Sequence, residues 1–302
     1  MPEAETVADL VLAVDIGGTK MASGLVGLDG SLVERAVVPT RHEAAAPGSD
    51  ERLWEDLAGL VRRVAGGAGP GERLVVCGAG CGGPMSLGGE DVSPLNIEAW
   101  RGFRLRTRLA ELTGLPTFVD NDAKALALGE GWVGAAVGCE NYVGMVVSTG
   151  VGGGIVLDGR LLEGRLGNAG HIGHVIVEPD GRPCVCGGRG CLEAEASGTA
   201  IAAITGEDPQ QAGPDVIARV GTLVGRAIAS VVNLLDLPLA VVSGSVALGY
   251  GEPFFEAAQA EMDLRCRLDF ARGARVVPGG LGDAGPLVGA ARVGLHGVER
   301  VG

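Results

Sequence analysis

Leu10-Val11-Leu12-Ala13-Val14-Asp15-Ile16-Gly17-Gly18-Thr19-Lys20 is an apolar run that ends in an acid and a glycine turn. Five apolar residues in a row read as a buried strand. A carboxylate at the end of a strand can hold Mg²⁺ directly or through water. The two glycines let backbone N–H groups approach a phosphate, and Thr19 and Lys20 add a hydroxyl and a cation. A tight hairpin turn would have the same residues, so this stretch alone leaves both readings open.

Outward from that turn, residues 21–28 and 32–38 read as two more strands joined by Asp29-Gly30. Three antiparallel strands in a row would begin a mixed sheet. Residues 49–65 place Leu53, Leu57, Leu60, Val61 and Val64 at helical spacing. Residues 73–77 read as a strand, followed by a glycine-rich loop over 78–83. A helix is predicted around 103–113, a short strand over 115–120 that crosses between lobes, and an alanine-rich helix over 121–133. A second sheet is predicted from 142–148 and 154–157, with a glycine loop between them. Helices over 215–235 and 253–267 would flank a strand at 239–242, and a helix over 284–297 would close the chain. Two α/β lobes of similar plan with a cleft between them fit this order: residues 1–118 plus 290–302 in one, 119–289 in the other. Disorder is expected only for residues 1 to about 8.

The composition narrows the function. The chain has 302 residues, enough for two lobes at the usual domain size. Its net charge of −13 argues against nucleic-acid binding, which needs a basic surface. No apolar stretch is long enough for a membrane span, and the acidic first residues lack the plan of a signal peptide. The expected location is therefore the cytoplasm, with no membrane partner. Glycine accounts for 54 residues, clustered in turns rather than in a collagen period.

A second glycine turn, Ser148-Thr149-Gly150-Val151-Gly152-Gly153-Gly154, also sits between two apolar strands. Two such turns, one per lobe, point to a nucleotide's phosphates gripped from both sides. Neither has the Walker pattern or the dinucleotide fingerprint. A third turn, Val242-Ser243-Gly244-Ser245, follows a strand and would receive the adenosine end. Asp120-Asn121-Asp122 lies where a strand gives way to a helix. A carboxylate there could accept a hydroxyl proton while the amide orients the substrate, but the same residues suit a helix N-cap. Asp120 is expected to be structural.

Of seven cysteines, three fall in Cys184-Val185-Cys186-Gly187-Gly188-Arg189-Gly190-Cys191. Thiolates spaced this closely, with glycines to wrap the chain, predict a zinc site that His174 completes as Cys₃His. Four protein ligands make the metal structural.

With these pieces the chain resembles the ROK family of sugar kinases and repressors. Ala169-Gly170-His171-Ile172-Gly173-His174 and the C-x-C-G-x-x-G-C-x-E run ending at Glu193 carry the resemblance most specifically. Pro94-Leu95-Asn96, Asn121-Asp122-Ala123 and the two glycine turns match in family order, so it covers nearly the whole chain. The resemblance implies the actin-like ATPase fold, of the ribonuclease H-like type, with ATP and Mg²⁺ in the cleft and a zinc-binding segment. It implies that Asp122 is the base that activates a sugar's 6-hydroxyl, and that Asn96 and Asn121 bind other hydroxyls. His171 and Glu193 would contact the sugar, and His174 would serve both sugar and zinc. Asp15 would organise Mg²⁺, while Gly17, Gly18, Thr19, Lys20, Thr149, Gly150, Gly152, Gly153 and Gly244 would hold the nucleotide. A homodimer or homotetramer is also implied.

One position departs from the family's glucokinases: His171 stands where many carry Glu. A carboxylate that only accepts is exchanged for a ring that can also donate, which alters recognition around C1 and C2. The A-G-H-I-G-H form resembles that of bacterial N-acetylmannosamine kinases, and the sequence leaves glucose and an N-acetylhexosamine both open. The rival class, a sugar-responsive regulator without catalysis, is disfavoured because Asp15, Asp122 and both turns are present. The family's repressors carry a helix-turn-helix module ahead of the body, and a first strand near residue 10 leaves it no room.

Overall fold

Strand β1 (Ala8–Ile16) runs straight out of the apolar stretch and sits at the centre of a sheet. The structure, a computed structural model, describes residues 7–41 and 47–301, so the expected disorder of residues 1–6 lies outside the described residues. After β1 come β2 (Lys20–Gly27), β3 (Leu32–Pro39), α1 (Ser49–Ala65), β4 (Glu72–Cys81), α2 (Leu105–Thr113), β5 (Thr117–Asn121) and α3 (Asp122–Val133). Then follow β6 (Tyr142–Val147), β7 (Val151–Leu157), β8 (Arg160–Leu161), α4 (Leu192–Ala196), α5 (Gly198–Thr205), α6 (Pro214–Leu235), β9 (Leu239–Ser243), α7 (Ser245–Tyr250), α8 (Glu252–Arg265), β10 (Arg275–Pro278) and α9 (Gly285–Val301).

The chain forms two units, each with a five-stranded mixed sheet. The first sheet has the order β3-β2-β1-β4-β5, with antiparallel pairs among β1 to β3 and parallel pairs from β1 through β4 to β5. The second has the order β8-β7-β6-β9-β10 with the same senses. The two glycine turns therefore occupy equivalent places, after the first strand of each unit. This is the two-unit actin-like plan.

Side chains alternate across β1, as the strand period requires. Leu10, Leu12, Val14 and Ile16 pack with Leu53, Leu57 and Val61 of α1 on one face. Val11 and Ala13 pack with Leu287, Ala290 and Ala291 of α9 on the other. Both faces are covered, which explains the unbroken apolar run. Each fully buried Leu or Val contributes roughly 1.5–3 kcal/mol. In the second unit the covering layer includes α6 and α8, through Val220, Leu223, Val224, Phe254 and Met262. No helix among the described residues is long and apolar enough to cross a membrane.

The structure moves the expected boundary. The first unit comprises residues 1–133, 163–168 and 283–302, and the second comprises 134–162 and 169–282. Residues 119–133 stay in the first unit because β5 is hydrogen-bonded to β4 as an edge strand, so it does not cross between lobes. Helix α3 then packs against α9, which is one continuous helix and draws residues 283–289 into the same unit.

The predicted glycine loop over 78–83 is also corrected, since β4 continues to Cys81. Gly78 lies inside the strand because α9 crosses directly over it. A Cβ there would collide with the Ala290 carbonyl oxygen and stand 2.6 Å from the Gly294 nitrogen. Gly78→Ala should therefore lift α9 from the sheet and cost about 1–3 kcal/mol of stability. A denaturant titration that left the midpoint unchanged would contradict this reading of Gly78.

Candidate functional site

In the first unit the site begins where three strands end side by side. Asp15 of β1 is in register with Gly80 of β4, and Gly80 with Asp120 of β5. Gly80 separates two acids: a Cβ built there would lie 3.7 Å from Asp15 Oδ1 and 3.4 Å from the Asp122 Cα. Burial, and next the Asp122 charge, push the Asp15 carboxyl up to about 7. A cation beside such a group would favour its ionised form, which fits Asp15 to hold Mg²⁺.

The turn after β1 is closed by its own backbone, with the Gly17 N–H donating to the Lys20 carbonyl at 3.0 Å. The Thr40 hydroxyl donates to the Gly17 carbonyl at 2.7 Å. Thr19 and Lys20 are exposed. Gly18 makes room for Asn96: a Cβ at Gly18 would come within 2.9 Å of the Asn96 Cβ. Asn96 itself is exposed, on the loop that follows Pro94.

Asn121 is the N-cap of α3. Its Oδ1 accepts from the Ala123 N–H at 3.0 Å and the Lys124 N–H at 3.3 Å. The cap oxygen is thereby committed, and the amide NH₂ is the end suited to orienting an acceptor. Asp122 is the first residue of the helix, where the N-terminal dipole favours a carboxylate. Asp120 accepts from Lys124 at 2.9 Å, in keeping with a structural role.

The second unit repeats the turn with a difference. β7 begins at Val151, so Gly152 and Gly153 lie within the strand and only Ser148, Thr149 and Gly150 form the turn. A Cβ on Gly153 would stand 2.8 Å from the Ile172 side chain. The turn is held by the start of α5: Gly198 N–H donates to the Ser148 carbonyl at 2.7 Å, and the Thr199 hydroxyl to the Thr149 carbonyl at 3.0 Å. The third turn meets it, with the Ser148 and Ser245 hydroxyls 2.9 Å apart. Gly244 precedes α7 with a φ of 102°.

Between these turns opens a cavity of about 580 Å³, lined by Thr149, Thr199, Pro209, Gln210, Ser245 and Tyr250 among others. Its size suits a small ligand such as a nucleoside. Thr199, Gln210 and Tyr250 were not legible as site residues. The one available signal was Ser197-Gly198-Thr199, a helix cap directly after the cysteine run, and Ser197 does accept from the Ala200 N–H.

The four predicted metal donors come together. The ligand atoms of His174, Cys184, Cys186 and Cys191 all lie within 4.8 Å of one another. Cys186 and Cys191 have their sulfurs 3.7 Å apart, and the Cys184 sulfur is 3.7 Å from His174 Nδ1. A tetrahedron with Zn–S bonds of about 2.3 Å has edges near ~3.8 Å, so the donor set fits zinc. Burial, then the neighbouring sulfurs, push the Cys191 thiol up to about 12. Three thiolates this close would be stabilised by a shared cation.

His171 precedes the 3₁₀ turn Ile172–His174 and His174 ends it, with their ring centroids 6.1 Å apart and planes 21° from parallel. Glu193 sits in the first turn of α4, and its Oε2 accepts from the Val151 N–H at 2.9 Å. One carboxylate thus connects the cysteine segment to the end of the second glycine turn.

Comparison with known proteins agrees with this arrangement. A family model described as the ROK family matches residues 11–295. An N-acetylmannosamine kinase of Escherichia fergusonii is 38% identical over 256 residues, covering 80% of this chain and 84% of the relative. Among solved structures, a ROK hexokinase from Thermus thermophilus superposes with a TM-score of 0.81 at 34% identity, over 96% of this chain and 99% of that one. A ROK family glucokinase from Streptomyces griseus, in complex with glucose and AMPPNP, also gives 0.81, at 28% identity over 95% and 99%.

The raised pKa of Asp15 makes a test of its own. A carboxyl whose folded pKa is about 7 binds a proton on folding between about pH 4 and 7. Its contribution to stability is fully present below the unfolded value and is lost as pH rises through the folded one. Asp15→Asn, in the absence of nucleotide and metal, should therefore be more stable than the parent at pH 8, by about 1–3 kcal/mol. The difference should fade at pH 4.5. Thermal unfolding at the two pH values reads it, and an equal effect at both would remove the burial argument.

Proposed function

The chain belongs to the ROK family, and from that premise we propose that it is an ATP-dependent kinase for the 6-hydroxyl of N-acetylmannosamine. The observation that carries the kinase reading is the pair Asp15 and Asp122 on either side of Gly80, at the strand ends of the first unit. One acid is poised to accept a cation and the other heads a helix. A regulator without catalysis would have no use for that costly pairing of like charges.

In this reading Asp122 takes the proton of the sugar hydroxyl, and Asn121 and Asn96 orient the ring through its other hydroxyls. Asp15 would hold the Mg²⁺ that accompanies ATP, which would supply neutralising charge beside the phosphates. The turns at Gly17–Lys20 and Ser148–Gly150, with Gly244, hold the phosphates, and the cavity beside Thr149 and Tyr250 takes the nucleoside. Gly153 contributes by keeping β7 close to the Ile172 segment, and Gly152 lies beside it in the same strand. Acceleration comes mainly from positioning and charge neutralisation.

Two features support the amide-bearing sugar. The relative at 38% identity is an N-acetylmannosamine kinase. His171 offers a ring with both donor and acceptor capacity where the family's glucokinases place a carboxylate. His174, Cys184, Cys186 and Cys191 hold zinc, which fixes the segment that presents His171 and leads into Glu193. Thiolate ligands of this kind belong in a reducing cytoplasm.

An ADP-release assay across N-acetylmannosamine, N-acetylglucosamine, glucose, mannose and fructose tests the substrate. N-acetylmannosamine should give the highest kcat/KM, and a preference for glucose would overturn the assignment. Asp122→Asn should lower kcat by about 10²–10⁴-fold while sugar affinity is kept. Near-normal turnover would remove Asp122 from its role.

Chelation tests the metal's part. Stripping zinc should raise the sugar Kd several-fold, and calorimetry on metal-free and reconstituted protein checks it. Unchanged affinity would reduce the metal to a staple.

A further inference from the structure

Lys124 is the largest charged side chain to be fully enclosed, with 1% of its side chain exposed. It lies two residues beyond Asp122, in the first turn of α3. Its ammonium has three acceptors: Asp120 Oδ1 at 2.9 Å, Glu163 Oε2 at 2.6 Å and the Gly167 carbonyl at 3.2 Å. Every proton of the group is thus used.

These partners fall on two pieces of chain. Asp120 is the penultimate residue of β5 and lies four residues before Lys124, so their ion pair closes a bracket around Asn121 and Asp122. Glu163 and Gly167 belong to residues 163–168, a strap without regular secondary structure that lies in the first unit. Asn168 fastens its far end through two bonds to the Met85 backbone, at 3.3 and 3.1 Å. Arg300 of α9 holds the second oxygen of Glu163 at 2.6 Å. The next residues in sequence are Ala169-Gly170-His171, where the sugar motif begins.

Burial works to raise the Glu163 carboxyl, yet Lys124 and Arg300 together hold it below its usual range. At Asp120 burial prevails over Lys124, and its carboxyl sits above the usual range. A lone ammonium enclosed this completely is costly unless each neighbour is in place, so the arrangement is a rigid one.

We propose that Lys124 is a positioning residue with two separable tasks: its bond to Asp120 sets the base Asp122, and its bonds to Glu163 and Gly167 set the strap that leads into the His171 motif. The inference rests on the sugar-kinase reading above. A purely structural ion cluster would have no reason to divide its effects between turnover and sugar binding.

Steady-state kinetics on two near-isosteric variants separates the tasks, with thermal unfolding alongside. Asp120→Asn should lower kcat about tenfold and leave the sugar KM within about twofold, because a small displacement of the base costs rate. Glu163→Gln should raise the sugar KM about tenfold while kcat and the ATP KM stay within about twofold. Lys124→Met should show both defects, and Lys124→Arg should recover part of each. Should Lys124→Met fail to fold, the other variants still decide the matter. Lower melting temperatures with unchanged kinetic constants, or equal shifts in the sugar and ATP KM values, would overturn the proposal. A parent protein that phosphorylates none of the sugars would instead remove the functional reading, and this one with it.

Discussion

Asp15 and Asp122 cannot both be charged at close range in a buried place without help, and much of the first unit can be understood as the means of keeping them there. Gly80 stands between them with no side chain to separate them further. Burial and the Asp122 charge drive the Asp15 carboxyl to about 7. The Asn121 cap and the N-terminal dipole of α3 offset part of the repulsion from the other side. A site prepared in this way favours a cation beside it.

The second unit repeats the strand plan without repeating the acids. β6 and β7 make the same hairpin as β1 and β2, but its turn is tied to α5 and to Ser245, and a cavity takes the place of a carboxylate pair. The same topology thus yields an acidic strand end in one unit and a neutral, cavity-lined one in the other. The order and sense of the strands are equivalent, and the residues at their ends are not. In the same unit the cysteine segment makes a third kind of anchor, with Glu193 joining it to the backbone of Val151.

Much of this was legible in the residues. The run over Leu10–Val14 showed a strand covered on both faces because no polar residue interrupts it, and α1 appeared from the spacing of Leu53, Leu57 and Val61. The Cys/His donor set was visible because three cysteines in eight residues have few other uses. The failures have physical causes. Glycines were read as loops at 78–83 and 149–153, whereas Gly78 and Gly153 lie inside strands and serve close contacts that no local pattern encodes. Residues 115–120 were read as a crossing between lobes, since nothing in a five-residue strand says which neighbour it pairs with.

By itself the sequence determined the kind of sheet, the two acids, the turns and the metal donors, because each depends on residue type and short spacing. Only the tertiary structure decided where the units divide, which glycines bend and which pack, and that Lys124 sits enclosed between Asp120 and Glu163. Those features depend on contacts between residues tens to hundreds of positions apart. A lysine in an alanine-rich helix looks like an ordinary solvated charge until the strap from residue 163 closes over it.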